Sequence, residues 1–273
     1  MHSLRSALAG TTAIALMLGA CHTAPPGPNV VTVTAHDFAF EAPAEIPAGL
    51  TTFRLVNDGP SIHHVQIIRL EDGKTADDFV AALKAGGPPP QWASLQGGPN
   101  PPNVGSSTSA TVDLAPGSYA MICFVPGADG VPHVLKGMVH PFKVTGTAPA
   151  AVAEPKADLT IKLVEYDFQL SGPLTAGKHT IRVEDTGSQP HEIVFVRLAP
   201  GKTPADIAAW AEKPGGPFPG TLEGGVSGIM PGMHAWAEVD LPPGDYALVC
   251  FEPDAKDGKP HFAHGMAKVV HVS

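Results

Sequence analysis

Ser118-Tyr119-Ala120-Met121-Ile122-Cys123-Phe124 alternates along its length, with Tyr119, Met121 and Cys123 on one face and Ala120, Ile122 and Phe124 on the other. A period of two marks a strand covered on both sides, so this stretch reads as a β-strand that ends in a cysteine. The stretch recurs. Pro116-Gly117-Ser118-Tyr119-Ala120 is matched by Pro243-Gly244-Asp245-Tyr246-Ala247, and Cys250 then answers to Cys123.

Working outward, Asp37-Phe38 is matched with Asp167-Phe168, and Ala48-Gly49 with Ala176-Gly177. Thr52–Val56 is matched with Thr180–Glu184, and the segment ending Arg69-Leu70 with the one ending Arg197-Leu198. The copies cover about 30–145 and 158–273, joined by an Ala/Pro-rich linker at 146–157, which is a tandem duplication rather than a short-period solenoid. A chain of 273 residues has room for two cores of modest size. With 30 prolines and 30 glycines it reads as many short strands joined by turns, an all-β protein. Val65–Leu70 and Ile193–Leu198 are nearly continuous apolar runs, as in strands buried between two sheets. One helix per copy is expected to start at Thr75 and Thr203, with Asp77, Asp78 and Asp206 in the first turns and Pro204 at the first helical position. The Gly/Pro-rich segments Gly86–Gly105 and Pro214–Gly232 read as surface loops decorating each copy.

Residues 1–20 carry Arg5 and an apolar run from Ala7 to Ala20, too short to span a bilayer and suited to a secretory signal. Leu18-Gly19-Ala20-Cys21 resembles a bacterial lipobox, which makes Cys21 the lipidated first residue of the mature chain and 21–29 a proline-rich tether. The alternative is an ordinary cleavage site with an incidental cysteine. On the lipobox reading the protein is exported and held by its lipid anchor on the periplasmic side of a bacterial membrane. In an oxidising compartment Cys123 and Cys250 would form a disulfide or be protected by a ligand. Their equivalent positions in two repeats favour the ligand. The formal charge of −9, without a basic patch, excludes nucleic acid as a partner; the acidic surface suits solubility or a basic protein partner.

Nine residues separate Cys123 from His133, and four separate His133 from Met138. Ten separate Cys250 from His261, and four separate His261 from Met266. His63 and His191 precede the two sets, each just before an apolar strand. Singly, such a histidine is a structural hydrogen bonder, such a methionine core filler and such a cysteine a small hydrophobe. Packing does not explain why His, Cys, His and Met recur in one order while the loop between them changes length. A thiolate, two imidazoles and a long axial thioether are the donors of a blue copper ion, whereas zinc gains little from a thioether.

Both copies resemble cupredoxins, and Cys123 to Met138 is similar to the type 1 copper loop of copper-containing nitrite reductases, as is Cys250 to Met266 with one insertion. The resemblance implies two tandem Greek-key β-sandwiches with one copper each. It places ligand roles on His63, Cys123, His133 and Met138, and on His191, Cys250, His261 and Met266. The chain departs from those enzymes where they feed a catalytic copper. Ile122, Phe124, Val249 and Phe251 flank the cysteines, Ile68 and Val196 stand where the reductases carry a catalytic histidine, and no His-x-His pair occurs. An oxidase or nitrite reductase is therefore disfavoured. His64 and Glu192 replace the small amide that often follows the first histidine. They are expected to tune the metal if they turn toward it, and to do little if they face solvent. Met230, Met233 and His234 form either a surface Cu(I) site or loop contacts; His140 and His264 read as surface residues. The expected function is electron transfer with a redox partner such as a cytochrome or an oxidase. Copper storage or delivery, with a copper-trafficking partner, is the alternative, and a binding module with leftover ligands is the third.

Overall fold

The computed structural model describes residues 25–86 and 89–273, so the signal segment and Cys21 lie outside the described residues. The first copy comprises β1 (Asn29–His36), β2 (Ala39–Glu41), β3 (Glu45–Pro47), β4 (Gly49–Asn57), β5 (Gln66–Leu70), α1 (Ala76–Ala85), β6 (Ala93–Leu95), β7 (Ser107–Leu114), β8 (Gly117–Ile122) and β9 (Val139–Thr145). The second comprises β10 (Leu159–Val164), β11 (Asp167–Leu170), β12 (Gly177–Asp185), β13 (His191–Leu198), α2 (Pro204–Glu212), β14 (Gly220–Ile229), β15 (His234–Leu241), β16 (Gly244–Val249) and β17 (Ala267–Val272). Each copy is a β-sandwich of two sheets with one short helix. β3-β9-β8-β5-β6 faces β2-β1-β4-β7 in the first, and β14-β13-β16-β17 faces β11-β10-β12-β15 in the second.

The alternation in β8 does what its period implies. Tyr119, Met121 and Cys123 join the core between the sheets, while Ala120 and Ile122 form a smaller apolar cluster with Phe79 of α1, against which Phe124 packs. Val194, Val196, Ala247 and Val249 make the equivalent cluster with Ile207 of α2. Fully burying side chains such as Phe53, Tyr119 and Trp236 contributes about 1.5–3 kcal/mol each. Both helices start with a capping box, Thr75 with Asp78 and Thr203 with Asp206, and Pro204 takes the first turn of α2 as the sequence implies.

Two sequence readings are corrected. The β1–β2 hairpin pairs His36 with Ala39, and the β10–β11 hairpin pairs Val164 with Asp167, so the turn residues are Asp37-Phe38 and Glu165-Tyr166. Phe38 and Tyr166 share a positive φ, 65° and 60°, which fixes the equivalence. Matching Asp37-Phe38 to Asp167-Phe168 was out of register by two because the dipeptide occurs at a turn in one copy and on a strand in the other. The second correction concerns the Gly/Pro-rich segments. They hold β6 and β14, and residues 97–102 are buried, not decorative.

Those segments join the copies. β7 pairs with β15, merging two four-stranded sheets into one of eight, and Pro99 bridges to Val226 with Gln96 to Ile229 and Pro102 to Glu223 on either side. Ala110 faces its own repeat counterpart Ala237, and Gly97-Gly98-Pro99 runs antiparallel to its counterpart Gly224-Gly225-Val226, so the copies meet about a pseudo-two-fold axis. Glycines allow the close approach across the join: a Cβ on Gly224 would lie 2.6 Å from Thr108 Cγ2 of the first copy, and one on Gly97 3.0 Å from Ile229 Cγ2 of the second.

Candidate metal centres

Each cysteine directly follows a central strand, β8 or β16, and the chain then makes a closed loop back to it. Val134 N donates to Cys123 O at 2.8 Å and Phe262 N to Cys250 O at 3.0 Å; His133 N reaches Val125 O, and His261 N reaches Glu252 O. A 3₁₀ turn follows, opened by Pro132 or Pro260 and ended by Gly137 (φ 103°) or Gly265 (φ 101°), which delivers Met138 and Met266. The extra residue of the second loop lies at the loop tip, between the bridged prolines Pro253 and Pro260 (Pro126 and Pro132 in the first). The insertion therefore leaves the ligand positions unchanged.

The sequence-predicted residues converge. His63, Cys123 and His133 form one buried group and His191, Cys250 and His261 another, with one donor atom from each residue within 4.8 Å of the others. In the first, Nδ1 of His63 lies 3.1 Å from Nδ1 of His133, which lies 3.6 Å from Cys123 Sγ; in the second the distances are 3.0 and 3.4 Å. Met138 and Met266 are fully buried in the same core as the cysteines, and both cysteines are free thiols. Met233 packs against the core from a turn closed by its amide on Met230 O, and His234 stacks edge-on with Trp236, so that segment makes loop contacts. His140 and His264 lie outside both groups, on Pro43 O and Asp257.

Burial lowers the pKa of His63 and His261 and brings His133 and His191 to about 4, so all four rings are neutral near pH 7. With both rings neutral, one Nδ1–H of each facing pair donates to the other ring's Nδ1. A cation among the three donors would take the place of that single proton. Burial also pushes the Cys123 thiol up to about 12 and Cys250 well above its ordinary value, the latter with added repulsion from Glu192 and Glu252. Backbone amides of His64 and Val125, and of Glu192 and Glu252, partly offset this; Glu192 N lies 3.4 Å from Cys250 Sγ. A buried thiol of this kind becomes a thiolate when a metal supplies the positive charge.

Around the donors the two centres differ. His63 Nε2 donates to Asp37 at 2.9 Å, and Ser61 holds the other carboxylate oxygen. This is the carboxylate–histidine arrangement that orients metal-binding imidazoles. Asp37 stays acidic because the His63 and Ser61 hydrogen bonds outweigh its burial. In the second centre Glu165, the counterpart of Asp37, accepts from Ser188 N instead, and Nε2 of both His191 and His261 lacks a hydrogen-bond partner among the described residues. Phe38 lies edge-on against His133, and Tyr166 against His261 with its hydroxyl on Asp254. His64 and Glu192 face neither metal nor solvent. Both are buried, and each accepts the amide that follows its cysteine: Phe124 N to His64 Nε2 at 2.8 Å, Phe251 N to Glu192 Oε1 at 3.0 Å. Sequence reasoning missed Asp37, Tyr166 and Asn100; only Asp37 carried a signal, as part of the repeat.

No protein-family model and no curated protein matches the chain. Among solved structures it is similar to auracyanin A, a "blue" copper protein from Chloroflexus aurantiacus, at 24% identity over 44% of this chain and 100% of that one, with a TM-score of 0.32. It is also similar to the copper nitrite reductase of Nitrosomonas europaea (16% identity, 90% and 93% coverage, TM-score 0.25) and the blue copper oxidase of the same organism (14%, 90% and 86%, TM-score 0.27). These scores are too low to carry an assignment, which rests on the sheets and donor groups themselves.

Proposed function

We propose that the chain is a copper-binding electron carrier with two mononuclear blue copper sites. The first is held by His63, Cys123, His133 and Met138, and the second by His191, Cys250, His261 and Met266. The observation that carries this reading is the pair of buried His–Cys–His groups whose donor atoms converge within 4.8 Å of one another, each with a methionine buried in the same core. Bound copper would supply one-electron redox chemistry. The protein's part is a donor frame closed by backbone hydrogen bonds, which resists rearrangement between oxidation states. Ile68, Ile122, Val196 and Val249, at the positions that would serve a catalytic copper, are buried aliphatic residues, which supports a carrier rather than an oxidase or reductase.

The exported, lipid-anchored placement, through Cys21, belongs to the same proposal, as does a protein redox partner. Among the described residues no helix is long and apolar enough to cross a membrane. Burial of both donor groups favours retention of metal over the exchange that storage or delivery needs. The test is repeated reduction and reoxidation of copper-loaded protein during dialysis. A carrier bleaches and recovers its colour over many cycles with its metal retained; loss of copper in the reduced state would favour delivery.

A further inference from the structure

The two donor groups are joined by one continuous hydrogen-bonded line. Phe124 N donates to His64 Nε2 at 2.8 Å, and His64 Nδ1 lies 3.2 Å from Asn100 Oδ1. Asn100 Nδ2 donates to Glu192 Oε2 at 3.0 Å, and Glu192 Oε1 accepts from Phe251 N. His64, Asn100 and Glu192 are all buried. Proton directions are fixed along the line. An amide donor on Nε2 leaves the His64 proton on Nδ1, which then donates to the Asn100 oxygen, and this turns the Asn100 amide nitrogen toward the carboxylate. The second Asn100 Nδ2 proton is shared between Ile193 O and Val226 O, so the residue is anchored in the second sandwich although it belongs to the first.

Every terminus of this line is one residue from a metal-donor side chain: His64 follows His63, Phe124 follows Cys123, Glu192 follows His191 and Phe251 follows Cys250. Resting on the reading of both groups as copper sites, we propose that Asn100 is a positioning residue that couples them, so that metal bound at one raises the affinity of the other. Metal at the first site pins His63 and Cys123, and with them the two partners of the His64 ring. His64 in turn fixes the Asn100 amide, and Asn100 fixes the Glu192 carboxylate that holds the strand end of Cys250. The second site is then ordered in advance of its metal, and the part of its binding energy otherwise used for ordering appears as affinity. Linkage makes the effect reciprocal.

The repeat supplies the variant that separates this role from packing. Ser227 is the counterpart of Asn100, and its hydroxyl meets Val65 O and Gly98 O across the interface. Asn100→Ser retains that kind of contact and removes the reach to His64 and Glu192. Cu(I) is titrated against a chromophoric chelator in wild type, Cys123→Ser and Cys250→Ser, and again with Asn100→Ser in all three. Coupling makes the product of the two wild-type stepwise association constants exceed the product of the single-site constants by about fivefold or more, at the low end of couplings between protein sites. With Asn100→Ser the excess disappears. Equal products in wild type would overturn the coupling while leaving two copper sites; absence of Cu(I) binding throughout would overturn the copper reading and the coupling together. A second measurement needs no Asn100 variant. In Cys250→Ser, diamagnetic Cu(I) at the first site shifts the NMR signals of the Asn100 side-chain amide and the Phe251 amide, and an unmoved Phe251 amide would contradict the line.

Discussion

The first centre orients its leading histidine with a carboxylate, Asp37, and sets an uncharged imidazole, His64, beside the cysteine strand; the second leaves His191 Nε2 without a partner and sets Glu192 in the place of His64. The donor frames are nonetheless nearly superimposable in their distances. Backbone turns fix the frame: a strand end, a proline, a 3₁₀ turn and a glycine at positive φ recur in both copies. The surrounding groups are side chains on separate elements and have diverged. One duplicated frame thus carries two differently tuned sites.

The comparison breaks most sharply at the cysteines. Cys123→Ser and Cys250→Ser should each remove one bound copper and one site's share of the visible charge-transfer absorption, read by metal analysis and optical spectra. A serine variant that keeps both coppers would show that the cysteine is not a ligand.

Acidity is the next lever. The four imidazoles are neutral near pH 7 and the thiols protonated, so each site should release one proton on binding metal. Affinity then rises about tenfold per pH unit from about pH 7 to 9, since one proton per unit corresponds to about 1.4 kcal/mol. It falls more steeply below about pH 4, where His133 and His191 take up protons. Unbuffered titrations that count released protons check this, and zero release would mean that the thiols do not bind as thiolates.

Asp37→Asn should weaken the first site about tenfold, at the low end for loss of such a supporting carboxylate. Glu165→Gln should leave the second site nearly unchanged, because that carboxylate serves Ser188. Equal losses would erase the distinction between the centres. On redox potential, Glu192, which burial pushes up to about 7, carries its negative charge beside Cys250 above that pH, so the second site should have the lower potential in alkaline solution and Glu192→Gln should raise it there. Redox titration of the single-site variants measures both. The smallest effect is expected at Gly137 and Gly265, where a Cβ meets nothing within 4 Å and alanine costs only the left-handed backbone, about 1–2 kcal/mol, visible in thermal unfolding.

The donor frame was legible in the sequence because its residue types are rare together and recur in order. The sandwich was legible from the period-two faces of β8, and the helices from Thr75, Thr203 and Pro204. The hairpin register was not, since an Asp-Phe pair occurs by chance at a turn in one copy and on a strand in the other. The joining of the copies was hidden too. Glycine and proline mark a surface loop and a close crossing alike, and only the packing of Gly224 on Thr108 and Gly97 on Ile229 separates them. Asn100 has a serine as its repeat counterpart, so comparing the copies pointed away from it.

The central claim is two blue copper sites in one chain, and the most direct measurement is copper content with optical and electron paramagnetic resonance spectra of the oxidised, metal-loaded protein. Two coppers per chain, an intense thiolate-to-copper band and two overlapping type 1 signals are predicted. A colourless Cu(II) protein, or a preference for zinc at both sites, would contradict it.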